Sequence, residues 1–525
     1  MRLRKVMENI DIKSLLVITL FYFIAYGLML LNDGIYFDDW TAYHIDNATL
    51  MAANSQLGIP WVGWYVILIL SLKTMIACRV LVFLCYLFSG FFLYGILKTI
   101  QEISVQERLF LSIFFVLFPV NSAKIALCVS HYAISYFLFF LGFFLLAEYF
   151  RKKDVYLRIL ALALLFVSFM SLQSLLVFYL IVIIYIGYME RANVKNVKGF
   201  FMRVFKYMDF LVTPLVFWAI KLVFFKPYGA YTGYNAVSWD KLIGAIYKLD
   251  EAFELAFLAP LRGAYGVIGP NYLVIIIATL LISAILYKGW SINREQEGMA
   301  DFWFLLFGVF AFVTGVFGYL AVDRVPVYWD WNSRFQMLVP LGAGFIIVYL
   351  GRIFLTSKAR VLLYSLLVVL FIYANYTVYM KFQQDWFKQL SIVENLKKEE
   401  IMKNNTTFLF TDRAPKFNAN DRQYRFYEYT GLMKLAFGNE TRFGSANQQD
   451  FIPEALTHFI TQGQFNCRDY KITKPQYQVY IDWSGWSGYN LTDLETIELV
   501  WLKFTKPNEF AEKIQKFMVL DIVKL

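Results

Sequence analysis

The chain has 525 residues, of which 59% are apolar, 19% aromatic and only 17% charged. Soluble domains carry about a quarter charged residues, so this composition excludes a water-soluble globule and describes a polytopic helical membrane protein. A net charge of +10 would suit a nucleic-acid partner, but the cations stand in short blocks between apolar runs without a basic, aromatic-laced patch, so no nucleic acid is expected.

Taken in chain order, a basic start (Arg2, Arg4, Lys5) precedes an apolar run over 14–31. That run is long for a signal-peptide core and no small-residue cleavage site follows it, so it is expected to stay as the first membrane helix. Crossing about 30 Å of hydrocarbon takes about 20 apolar residues. By that measure eleven spans are predicted, near 14–31, 79–98, 109–127, 131–149, 157–173, 174–189, 208–225, 271–288, 302–321, 335–352 and 361–380. Residues 61–72 are apolar but too few to cross, and read as an interfacial or re-entrant helix; Trp61, Trp64 and Tyr65 suit the headgroup layer. The stretch Ser171-Leu172-Gln173-Ser174 reads as a turn between two short helices.

The cations of the short loops set the orientation. Lys98 and Arg108, Arg151-Lys152-Lys153, the block Arg191/Lys195/Lys198/Arg203/Lys206, Lys288 and Arg294, and Lys358 and Arg360 all fall on the side of the amino terminus. That side is expected to be cytoplasmic, and an odd number of spans places the carboxyl-terminal tail outside. Three longer segments share the outer side: 32–78, the Tyr- and Gly-rich 227–271, and Asp323 to Arg334.

After about Lys381 the composition changes. Thr407–Thr411 and Tyr477–Ile481 read as strands and Asn508–Met518 as a helix, so 1–380 is expected to be the transmembrane part and 381–525 a small periplasmic α/β domain. Its stretch Asp482-Trp483-Ser484-Gly485-Trp486-Ser487-Gly488-Tyr489 is an aromatic loop suited to touching glycan. Cys78, Cys85, Cys128 and Cys467 have no zinc or disulfide spacing.

The candidate chemistry centres on Asp38 and Asp39, adjacent carboxylates at the mouth of the first span, where desolvation is costly unless they have partners or a task. In extended chain they would point opposite ways, one facing a cavity and the other orienting it or binding a hydroxyl or metal. A carboxylate within hydrogen-bond reach can take the proton of an attacking sugar hydroxyl. A departing lipid phosphate needs a fixed cation, and Arg334 at the outer end of the tenth span offers a bidentate fork; Arg79, Lys124 and Arg324 are further candidates at comparable depth. Trp40, His44 and Tyr328 are candidate sugar contacts, and His131 stands at the start of the fourth span. No nucleotide-cradling glycine loop is present, which favours a lipid-linked donor.

The Phe37-Asp38-Asp39-Trp40 run after the first helix, the Gly58-Ile59-Pro60-Trp61 segment, the eleven spans and the late outer Arg334 resemble the GT-C glycosyltransferases. Within that superfamily the layout is similar to the serotype-converting O-antigen glucosyltransferases of enterobacteria and their phages, with motif-level matching confined to about residues 33–70. The resemblance implies an enzyme of the bacterial inner membrane that takes a sugar, glucose by expectation, from undecaprenyl phosphate and adds it to a lipid-linked O-antigen or another periplasmic glycan. It implies that Asp38 or Asp39 is the base. The group commonly carries an arginine soon after the acidic pair and another before the proline; here those places hold Trp40-Thr41-Ala42 and Ile59. No cofactor is required by this reading, and a divalent metal, Mg or Mn, is left open. The alternatives are a lipid-linked glycan flippase, a non-catalytic scaffold for polysaccharide assembly, or an O-antigen ligase or polymerase.

Overall fold

The structure is a computed structural model and describes residues 11–43, 45–193, 196–289, 299–452, 454, 467–485 and 491–525. Of the residues read above, Arg2, Arg4, Lys5, His44, Lys195, Arg294 and Trp486–Tyr489 lie outside them.

The chain is mostly helical, with a small sheet near its carboxyl end. Six helices among the described residues are long and apolar enough to cross a membrane: Ile12–Leu31, Ile76–Leu97, Leu127–Lys152, Leu175–Asn193, Met299–Leu320 and Ser357–Leu396. A seventh is added if Val197–Lys206 and Met208–Phe224, bent by 51°, count as one span. The other predicted runs coincide with shorter helices: Val105–Leu117, Val155–Ser168, Tyr272–Gly289 and Val339–Phe354. The apolar helices mark a membrane protein.

The residues explain where these helices begin and end. Ser104 caps Val105–Leu117 with Glu107 in a reciprocal capping box, and Asp11 and Asp154 accept first-turn amides of their helices. The Ser171 region is a turn, so Val155–Ser168 and the run from Leu175 are separate helices, as the sequence indicates. Pro60–Ser71 has proline at its start and 12 residues, a length of about 18 Å that falls well short of the hydrocarbon thickness. Its Trp61 indole donates to Ser171 Oγ at 3.0 Å. The buried Arg352 joins Asp301 (2.9 Å) and Glu107, tying three helices together.

The predicted strands form as Thr407–Asp412 (β1) and Tyr477–Trp483 (β3), joined by Phe443–Ser445 (β2) and Met518–Lys524 (β4). The sheet order is β2-β1-β3-β4, with β1 parallel to both neighbours and β4 antiparallel to β3. The predicted terminal helix is Pro507–Gln515.

The predicted boundary at 380/381 falls inside one continuous helix. Ser357–Leu396 has 40 residues, about 60 Å, and its last turns pack on β4 and on the helices Phe426–Phe437 and Pro507–Gln515. The polar residues that lower the hydropathy there are inward-facing. Lys388 Nζ donates to both Asp412 oxygens (2.7 and 2.6 Å), to Ala414 O and to Asn418 Oδ1, while Asp385 accepts from Ala419 N, Gln389 and Tyr424. The Lys388 ammonium and both Asp385 oxygens are satisfied within the fold, so the helix continues as the spine of the α/β part.

Candidate functional site

The predicted acidic pair lies where the first loop, the turn around 121–129 and the helix Phe426–Phe437 come together. The loop 328–336 joins them through Ser333, whose hydroxyl takes the amide of Ala123 at 3.1 Å. Phe37 adopts a left-handed backbone (φ 53°), and the chain turns there into a single helical turn, Asp39–Ala42. The two aspartates are therefore not in extended chain, as the sequence led us to expect. Successive residues on a helical turn differ by about 100°, and the two carboxylates still diverge.

Asp39 is fully buried. Its Oδ2 accepts the amide of Leu127 at 2.8 Å and its Oδ1 the amide of Cys128 at 2.9 Å. Burial pushes its carboxyl above the ordinary range, against the pull of Arg79 and the two amides. Both oxygens are committed, and their work is to pin the first loop to the turn. Asp38 is half-buried; its Oδ1 accepts from the Tyr427 hydroxyl at 2.9 Å, and its Oδ2 has no hydrogen-bond partner among the described residues.

Arg334 follows Trp331 on a short 3-10 turn. Its Nη1 donates to Trp331 O at 2.7 Å and its guanidinium lies 4.2 Å from the centre of the Trp331 ring. Trp331 in turn stacks on Phe37, with ring centres 4.9 Å apart. Asp39 is anchored on the Cys128 amide, and Trp331 links Arg334 to Phe37, the residue before Asp38; most of the Arg334 fork is uncommitted among the described residues.

The other candidates are placed differently. Arg79 is fully buried and donates to Gly34 O at 2.6 Å and Met75 O at 3.3 Å, so it braces the loop backbone. Lys124 is buried with its ammonium 3.6 Å from the Tyr26 ring centre and 4.9 Å from that of Tyr86, a cation held by aromatic faces. Arg324 lies over the Tyr234 ring at 5.1 Å. Trp40 is fully buried under Gly431, where an added Cβ would come within 2.4 Å of the indole, so it fills the core and has no face open to a sugar. Tyr328 fits against Gly263 and lines a small cavity with Asn121, Ser333 and Gln336. His131 is buried against Tyr132, ring centres 4.3 Å apart. His44 lies outside the described residues.

Sequence reasoning missed Tyr427, which reaches Asp38, and Arg422, whose guanidinium lies 4.6 Å from the Phe37 ring centre while binding Glu428 through both nitrogens. Tyr427 is 389 positions from Asp38, and nothing in its own neighbourhood marks it. The four cysteines are unpaired, and among the described residues no three of His, Cys, Asp or Glu gather as a metal would need. In comparisons with known proteins, no family model and no curated sequence matches this chain.

Proposed function

We propose that this protein is a GT-C-type glycosyltransferase of the bacterial inner membrane, moving one sugar, glucose by preference, from undecaprenyl phosphate to O-antigen or a related lipid-linked glycan. The reading takes all eleven apolar runs as spans, with the short helices counted, a cytoplasmic amino terminus and a periplasmic α/β part. The observation that carries it is Asp38: a half-buried carboxylate with one oxygen held by the Tyr427 hydroxyl and the other without a partner among the described residues.

The chemistry follows from those positions. The acceptor hydroxyl oxygen bonds to the anomeric carbon as its proton passes to Asp38 Oδ2. The bond from that carbon to the phosphate oxygen breaks, and the electron pair leaves with the polyprenyl phosphate. Arg334 takes up the charge that develops there. Asp39 does not touch the reacting atoms in this scheme; it fixes the loop that carries Asp38.

The test is transfer from a glucosyl polyprenyl phosphate by the full-length protein in lipid vesicles, read as added hexose mass on the acceptor glycan. Asp38→Asn is expected to insert normally and to lose about 100-fold or more of the rate. Undiminished transfer by that variant would overturn the proposal.

A further inference from the structure

The first loop does not stand alone. The α/β part reaches it at several points: Arg468 pairs with Asp46 at 2.5 Å, Lys503 pairs with Asp33, the Tyr36 hydroxyl donates to Phe382 O at 2.5 Å, and Arg422 lies on Phe37. Helix Phe426–Phe437 seats directly on this loop, because Gly431 has no side chain to keep it off the Trp40 indole. One turn before Gly431, the same helix face carries Tyr427 to Asp38.

We propose that Tyr427 is a positioning residue for Asp38, so that the carboxyl-terminal α/β part completes the site that the membrane helices begin. This inference rests on the reading of Asp38 as the base. A carboxylate on a loop has two rotatable bonds and can turn either oxygen toward a substrate. A hydroxyl donor at 2.9 Å on Oδ1 fixes that choice and leaves Oδ2 for the incoming sugar hydroxyl. Rotational freedom removed beforehand is removed from the barrier as well. Burial and the neighbouring Asp38 charge push the Tyr427 phenol well above its ordinary value, so it stays a donor across the working range. The phenol is buried and comes from a helix of 12 residues that begins next to it, which gives it little freedom of its own.

The experiment compares Tyr427→Phe and Asp38→Asn in the full-length protein in vesicles, with glucosyl polyprenyl phosphate as the probe. Tyr427→Phe keeps the ring that packs and removes only the hydroxyl. The expected result is a kcat lowered about tenfold with KM for the lipid donor unchanged, since the donor phosphate is bound elsewhere. A role confined to holding the fold would lower the amount of inserted protein and leave the kcat of what remains intact. Wild-type kcat in Tyr427→Phe, alongside an inactive Asp38→Asn, overturns the inference and spares the base. Retained transfer in Asp38→Asn overturns both.

Discussion

Replacing Asp39 by asparagine separates the two adjacent carboxylates, because Asp39 holds structure where Asp38 is proposed to hold a substrate. Both Asp39 oxygens accept a main-chain amide, from Leu127 at 2.8 Å and Cys128 at 2.9 Å, in a fully buried pocket. Asparagine has the same shape but offers one oxygen and one NH2. Whichever way it is turned, one of the two amides loses its acceptor and meets a donor. An unsatisfied buried donor costs about 1–3 kcal/mol, and the cost falls on the turn that the carboxylate pins. Local opening there should rise by about 5- to 150-fold, the same free energy expressed as an equilibrium constant. Hydrogen exchange of the Leu127 and Cys128 amides, measured on the protein in detergent, reads this directly. Unchanged exchange at both amides in Asp39→Asn would show that the carboxylate does not hold the turn, and the division of labour between the two aspartates would fail.

Arg334→Ala removes a fork with one nitrogen on Trp331 O and the rest uncommitted among the described residues. A charge-assisted hydrogen bond is worth about 1.5–3 kcal/mol, so kcat/KM for the lipid donor should fall about 10- to 100-fold, and Arg334→Lys should recover only part of it. Lys388→Met leaves Asp412 buried without its cation. Breaking such a pair costs about 3–5 kcal/mol, which predicts loss of protease resistance in the α/β part. Asp39 also predicts a pH dependence of stability. Its carboxyl is raised above the ordinary value, so the folded protein binds that proton more tightly than the unfolded chain does. Stability should therefore fall as pH rises from the ordinary carboxylate value through the raised one. The slope of melting temperature against pH over that window should flatten in Asp39→Asn.

Much of this was readable from local composition. Hydropathy sums over about 20 residues, so the apolar helices show themselves wherever the runs are long, and β1 and β3 are marked by short β-branched and aromatic runs before the rest of the fold is known. The acidic pair was visible for the same reason, as a charge placed where charge is costly. By sequence Trp40 is only a candidate sugar contact, because aromatic residues beside carboxylates look alike whether they face a cavity or a core; Gly431, distant in sequence, decides that it is core. The boundary drawn at 381 followed the fall in hydropathy, but Lys388 and Asp385 are polar residues whose partners lie inside the fold, so the helix runs on.

By itself, then, the sequence determined the membrane class, the helical runs, two of the strands and the position of the paired carboxylates, all of which depend on stretches of about 20 residues or fewer. Only the tertiary structure decided which aspartate is committed and which has an oxygen to spare, because that depends on the amides of Leu127 and Cys128 and on a hydroxyl 389 positions away. Identical side chains on successive residues have the same intrinsic chemistry, and their difference comes from partners that folding alone brings within hydrogen-bond reach.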